Sequence, residues 1–139
     1  MQGRPGEVIL RCIGYRAAPT SVAMRVRSIE PGEYEAAAQL TLRAYLAGVG
    51  APEGYRPQLL DVSGRLAFSE VLVAENDEGR LVGTVTYVPG PNTPESEFDD
   101  PEAAGMRMLA VEPALQGQGI GRALVDACNT RARAAGRRR

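Results

Sequence analysis

Residues 107–128 read RMLAVEPALQGQGIGRALVDAC. A short apolar run, MRMLAV at 106–111, has the length and composition of a buried strand. It passes through EPALQ into a loop carrying Gly117, Gly119 and Gly121. From about 119 to 135 the pattern becomes helical: Ile120, Ala123, Leu124, Ala127 and Cys128 fall at i, i+3, i+4, i+7 and i+8, so one face is predicted to lie on a sheet. The glycines let the backbone turn tightly and approach a ligand, and the first N–H groups of the new helix lack intrahelical acceptors and point into the same concavity. Such a cradle favours phosphate. The helix dipole contributes only about 0.3–1 kcal/mol, whereas each charge-assisted hydrogen bond contributes roughly 1.5–3 kcal/mol, so several N–H donors outweigh it.

The flanking sequence sets this loop in a fold. MRVRSI, beginning at Met24, alternates apolar and basic residues and predicts a half-buried first strand. Tyr34, Ala37, Ala38, Thr41 and Tyr45 recur at helical spacing until Gly48 and Gly50 end the stripe. A second, less regular helix is expected over 58–68, weakened by Gly64. EVLVAEN and RLVGTVTYV read as an antiparallel hairpin, and PGPNTPESEFDDPEAA at 89–104 as a surface excursion or lid, too polar for a core. Residues 1–23 form an N-terminal extension expected to be irregular, and 24–139 a single domain. The only competing role for 1–23 is that 7–15 supplies an extra strand.

Three phosphate-loop patterns can be compared. The P-loop requires Lys-Ser or Lys-Thr after its glycines, and none follows here. The dinucleotide fingerprint fails because its sixth position is Arg122 or Leu124, depending on the starting glycine. The pattern Q/R-x-x-G-x-G/A is met by Gln116, Gly119 and Gly121, and it resembles the acyl-CoA loop of the GNAT superfamily of N-acetyltransferases. The resemblance covers about 24–136 and agrees with that family's element order. It implies an α/β (α+β type) fold with a GNAT-like mixed sheet in the order β-α-α-β-β-β-α.

The resemblance further implies acetyl-CoA as co-substrate and an amine, on a small molecule or a peptide, as acceptor. Backbone amides of Gln118, Gly119, Ile120, Gly121 and Arg122 would hold the pyrophosphate, with Gln116 and Gly117 also counted in the cofactor-binding loop, and Leu109, Ala110 and Val111 would pair with the pantetheine arm like an added strand. A main-chain N–H near 109–111 would polarise the thioester carbonyl for direct attack by the amine. Against these roles, three close glycines can exist only for packing, and Arg122 can be a solvated residue on the outer helix face. Glu102 is the candidate general base, with a solvated acidic loop as the alternative. The family often carries a glutamate near the start of this strand, where this chain has Ala104, Gly105 and Met106. The family's domain also continues with strand, helix and strand, so the chain is expected to stop before the fold is finished. The outer edge of MRMLAV would then be exposed, inviting a homo-oligomer. Two functions stay open: an acyl-CoA-dependent N-acyltransferase, or a catalytically silent or partner-binding piece retaining only the loop.

Composition removes other classes. Sixteen basic and seventeen acidic residues give a net charge of −1, leaving no whole-chain attraction to nucleic acid or an anionic membrane. The terminal RARAAGRRR is read as arginines suiting a helix C-terminus rather than a nucleic-acid patch. No apolar run approaches the roughly 20 residues of a membrane-spanning helix, and a cytoplasmic location is expected. With no histidine and two distant cysteines, Cys12 and Cys128, neither a metal site nor a histidine-based triad is expected, and a disulfide is disfavoured. Cys128 is expected to face the core. Tyr45, Tyr55 and Tyr87 are read as core-edge residues or walls of an acceptor pocket, with no assignment between them.

Overall fold

A computed structural model describes residues 23–139. The extension at 1–22, including Cys12 and the strand considered at 7–15, lies outside the described residues. From Met24 the elements are β1 (Met24–Ser28), α1 (Tyr34–Ala47), two short helices α2 (Arg56–Leu60) and α3 (Val62–Arg65), β2 (Glu70–Asn76), β3 (Leu81–Val88), β4 (Gly105–Val111) and α4 (Ile120–Ala134). The expected order therefore holds, with one correction: the helix expected over 58–68 is two turns broken at Asp61. Asp61 leaves helical geometry (φ −90°, ψ 69°), and its carboxylate accepts the Gly64 N–H at 3.0 Å, capping the second turn.

The sheet runs β1-β2-β3-β4, and all three pairings are antiparallel. The parallel strand of the expected mixed sheet belongs to the continuation after α4, so antiparallel pairing among these four strands agrees with that expectation. Among the described residues a parallel offset occurs beyond these strands: Arg139 donates its N–H to the Glu102 carbonyl and accepts the Ala104 N–H at 2.8 Å. Among the described residues no strand flanks the outer edge of β4, where Met106 and Leu109 are 42% and 41% exposed.

Strand alternation sends side chains to two helical layers. Val71 and Val73 pack with Ala37, Ala38 and Leu40 of α1, while Leu72, Ala74, Val85 and Tyr87 pack against Ile120, Leu124, Ala127 and Cys128 of α4. The helical stripe read from the sequence is thus the buried face of α4, and Cys128 is in the core. Gly83 lets α4 lie close: a Cβ there would sit 2.7 Å from the Ile120 Cγ2 and 2.9 Å from the Leu124 Cδ1. In the hairpin turn, the Asn76 side-chain oxygen accepts the N–H groups of Glu78 and Arg80, and Gly79 takes a left-handed φ of 79°. β1 is fixed by Arg27, which bonds Glu33 on one side and Glu75 at 2.9 Å on the other. Glu33 is held below the usual carboxylate range chiefly by that guanidinium.

Candidate acyl-CoA site

The site begins with a defect in β4. Between the pairs Thr84↔Ala110 and Thr86↔Arg107, β3 advances two residues and β4 three, so β4 carries one extra residue. Met108 takes a left-handed φ of 54°, a conformation that costs a non-glycine residue on the order of 1–3 kcal/mol. Its side chain, 5% exposed, is held against Ala51 and Leu59. A bulge leaves its extra residue out of the ladder, freeing main-chain polar groups at 108–109.

Beyond β4 the chain makes a 3-10 turn at Pro113–Leu115, extends at Gln116, and reverses through Gly117 (φ 86°) and Gly119 (φ 90°) into α4. These two glycines have the positive φ that their role requires. Gly121 does not; its missing side chain instead leaves room beside Val111, whose Cγ2 would lie 3.6 Å from an added Cβ. Gly119 is the N-cap of α4 and offers no side chain to cap the helix, and the first turn has no acidic residue. The helix thus opens without a side-chain cap, at the end where the first N–H groups lack intrahelical acceptors.

These elements form a cleft of about 630 Å³ between the glycine loop, the end of β4 and the end of α1, where Ala44, Tyr45, Gly48 and Val49 form the facing wall. Of the ten residues predicted from the sequence, Leu109, Ala110, Val111, Gln116, Gly117, Gly119, Ile120, Gly121 and Arg122 line it, and Gln118 does not. Ile120 is 1% exposed and packs its side chain into the core, so it meets the cleft through its backbone. Glu112, 9% exposed, fixes the end of β4: its N–H bonds the Val82 carbonyl at 2.9 Å, and its carboxylate takes Arg43 of α1 at 2.8 Å and Arg80 at 3.6 Å.

The other predicted residues separate. Glu102 lies outside the cleft lining, half-exposed, with its carboxylate 3.1 Å from Arg139 and 3.6 Å from Arg138. Tyr87 is buried against α4, and burial raises its phenol above the ordinary value. Tyr45 lines the cleft and tilts against Tyr55 with ring centroids 6.2 Å apart. The terminal arginines serve structure: Arg131 pairs with Glu70 at 2.8 Å, Arg137 bonds the Pro101 carbonyl, and Arg139 also reaches Asp100. Sequence reasoning missed Glu112, Arg65 and the Arg107–Glu95 pair, because no local pattern marks a charged residue as buried.

The family description "Acetyltransferase (GNAT) domain" matches residues 67–139, which contain β2 to α4 and the whole loop. The chain belongs to the GNAT family. A GNAT family acetyltransferase from Brucella melitensis, solved in complex with acetyl-CoA, is similar at 26% identity; the match covers 83% of this chain and 71% of that one, with a TM-score of 0.64. The Escherichia coli GNAT family N-acetyltransferase YhbS, solved with CoA, is 25% identical over 80% of this chain and 56% of its own, at a TM-score of 0.56. An acetyltransferase of the GNAT family from Staphylococcus aureus Mu50, at 14% identity, 83% and 69% coverage and a TM-score of 0.64, shares the fold. No curated protein matches. Membership assigns this GNAT domain to acyl-CoA-dependent N-acetyltransferases as a class. Among the described residues no helix is long and apolar enough to cross a membrane, and no cluster of residues is arranged to hold a metal ion.

Proposed function

We propose that this GNAT domain binds acetyl-CoA in the cleft between α1, β4 and the glycine loop, and transfers the acetyl group directly to an amine. The observation that carries this reading is the continuity of three features in one concavity: the β4 bulge, the left-handed Gly117 and Gly119, and the side-chain-uncapped start of α4. The residues fit such a ligand. Nothing lies within 4 Å of where a Gly117 Cβ would be, and Gly117, Gly119, Ile120, Gly121 and Arg122 line the cleft, where backbone donors at a helix start would suit a pyrophosphate. The edge of β4 at Leu109, Ala110 and Val111 offers amide partners for an extended, peptide-like arm.

Acetyl-CoA supplies an activated acyl carbon, to which the amine nitrogen bonds as the carbon–sulfur bond breaks and the amine proton leaves to solvent or to the thiolate. The chain's own contribution is placement and electrostatics. Main-chain N–H groups released at the 108–109 bulge sit where negative charge develops on the carbonyl oxygen, and a fixed donor there strengthens as the charge grows. Tyr45 and Val49 close the cleft on the α1 side. Glu102 is not needed for this reading, since its carboxylate is committed to Arg138 and Arg139.

The test is calorimetric titration with CoA and acetyl-CoA, together with thiol release in the presence of an amine panel. Saturable binding abolished by substitution in the glycine loop supports the assignment. Binding that ignores the loop removes it.

A further inference from the structure

Next to the bulge, on the side of the sheet that carries α1 to α3, lies a charged cluster that the acyl-CoA cleft does not use. Thr86 and Arg107 are cross-strand partners. The Thr86 hydroxyl accepts the Arg65 Nε at 3.0 Å, and Arg65 also donates to the carbonyls of Gln58 (2.7 Å) and Leu59 (3.4 Å). Arg65 is 4% exposed, and all these acceptors are neutral. Among the described residues no carboxylate lies within ion-pair distance of it. Burial accordingly lowers its pKa, and the largest opposing influence is the charge of Glu95. Glu95 is already taken: its Oε1 lies 2.8 Å from the Arg107 Nη1, with both side chains about 15% exposed (16% and 15%). Glu97 approaches Arg107 only at 3.7 Å and is 76% exposed.

Counting the groups shielded from water gives two guanidiniums and one carboxylate, a net charge of +1. In a partly desolvated setting an uncompensated charge of that sign favours an anion, and paired guanidiniums suit a carboxylate. The cluster also adjoins the site proposed above. Arg107 precedes Leu109 by two residues, at most about 7 Å along a strand. Tyr45 links the two regions: it lines the cleft, and the charges of Arg107, Arg65 and Glu97 all act on its phenol.

We infer that the acceptor is a carboxylate-bearing amine of amino-acid size, whose carboxylate is held at Arg107 beside buried Arg65 while its amine is presented to the bulge at Met108–Leu109. This rests on the acyl-CoA reading of the neighbouring cleft. Glu97, exposed and weakly paired, is the anion that the acceptor would displace; Glu95 remains as the partner that orients Arg107.

The experiment offers the chain matched amines with and without a carboxylate, an amino acid against its amide and its decarboxylated amine. Acetyl-CoA binding by calorimetry and N-acetyl product are read separately, and binding of the free amino acids is also titrated on CoA-loaded protein. The carboxylated amines should give kcat/KM higher by about tenfold or more. Arg107→Gln should erase that preference, mainly by raising KM, with acetyl-CoA affinity unchanged. Glu97→Gln should act oppositely, lowering KM for carboxylated acceptors alone, which a purely structural ion pair would not do. Acetyl-CoA binding with no binding or acetylation of any carboxylated amine, equal use of the amides, or a Glu97→Gln variant with an unaltered preference would overturn the inference. Failure to bind acetyl-CoA at all would instead overturn the reading of the cleft on which it rests.

Discussion

Replacing Gly119 and Gly121 together by valine separates a ligand cradle from a packing turn. At Gly119 the φ of 90° forces a β-branched residue into the left-handed region, at about 1–2 kcal/mol. At Gly121, inside α4 and without positive φ, exchange of glycine for valine improves helix propensity by a few tenths of a kcal/mol. A Cβ at this position meets Val111 at an ordinary 3.6 Å. The net loss of stability is therefore about 1 kcal/mol, a drop in Tm of roughly 3–6 °C for a domain of this size. The effect on ligand is far larger. Side chains at 119 and 121 fill the space in front of the first N–H groups of α4, and losing two charge-assisted hydrogen bonds removes about 3–6 kcal/mol. That corresponds to a rise in Kd on the order of 10²- to 10⁴-fold. Calorimetry with CoA on the folded double variant, checked by circular dichroism, measures it. A folded variant with unchanged CoA affinity would refute the assignment of the loop and leave close packing as the purpose of its glycines.

Other outcomes follow from the same geometry. Gly83→Ala should destabilise the chain by about 1–3 kcal/mol in thermal melts while leaving the glycine loop's chemistry intact, because its Cβ would press on Ile120 and Leu124; an unchanged Tm would show that α4 shifts freely. Glu102→Gln should keep turnover within a few-fold, against the roughly 10²- to 10⁴-fold loss expected of a general base; a loss of the larger size in a folded variant would place the base there after all. Burial pushes the Cys128 thiol up to about 12, so in a Cys12→Ser background the native protein should resist thiol reagents at pH 8 and react on unfolding. Its folded pKa lies above the unfolded one, so stability from this group is intact below about pH 8.5 and is lost as pH rises toward 12. A denaturation midpoint flat across that alkaline range in the same background, relative to Cys128→Ala, would contradict the burial argument.

Most of the scaffold was legible because its signals are local. The spacing of Ile120, Leu124 and Cys128 marked the buried face of α4, and Asn76 to Arg80 carried turn chemistry between two Val- and Thr-rich runs. The glycine loop was legible in both position and conformation for Gly117 and Gly119, whereas Gly121 supplies space rather than an unusual φ. What stayed hidden depends on tertiary contacts. Nothing about Met108 announces a left-handed residue; its φ of 54° is held by packing on Ala51 and Leu59 and by the count of residues paired across β3 and β4. The break at Asp61 competes with helical propensity through one side-chain bond to Gly64. The loop at 89–104 is polar as read, yet Glu95 ties it to Arg107 and Ala103 is buried, contacts that a surface excursion does not advertise in sequence. Arg65 and Glu112 look like surface charges until β3 brings Thr86 to the first and α1 brings Arg43 to the second.

The central claim is tested most directly by amide chemical-shift mapping of the labelled chain during titration with acetyl-CoA. The account predicts saturable shifts concentrated at Gln116 to Arg122 and at Met108 to Val111, with smaller changes at Tyr45 and Val49. Saturable binding that leaves those amides unmoved, or that shifts another face of the sheet, would contradict it.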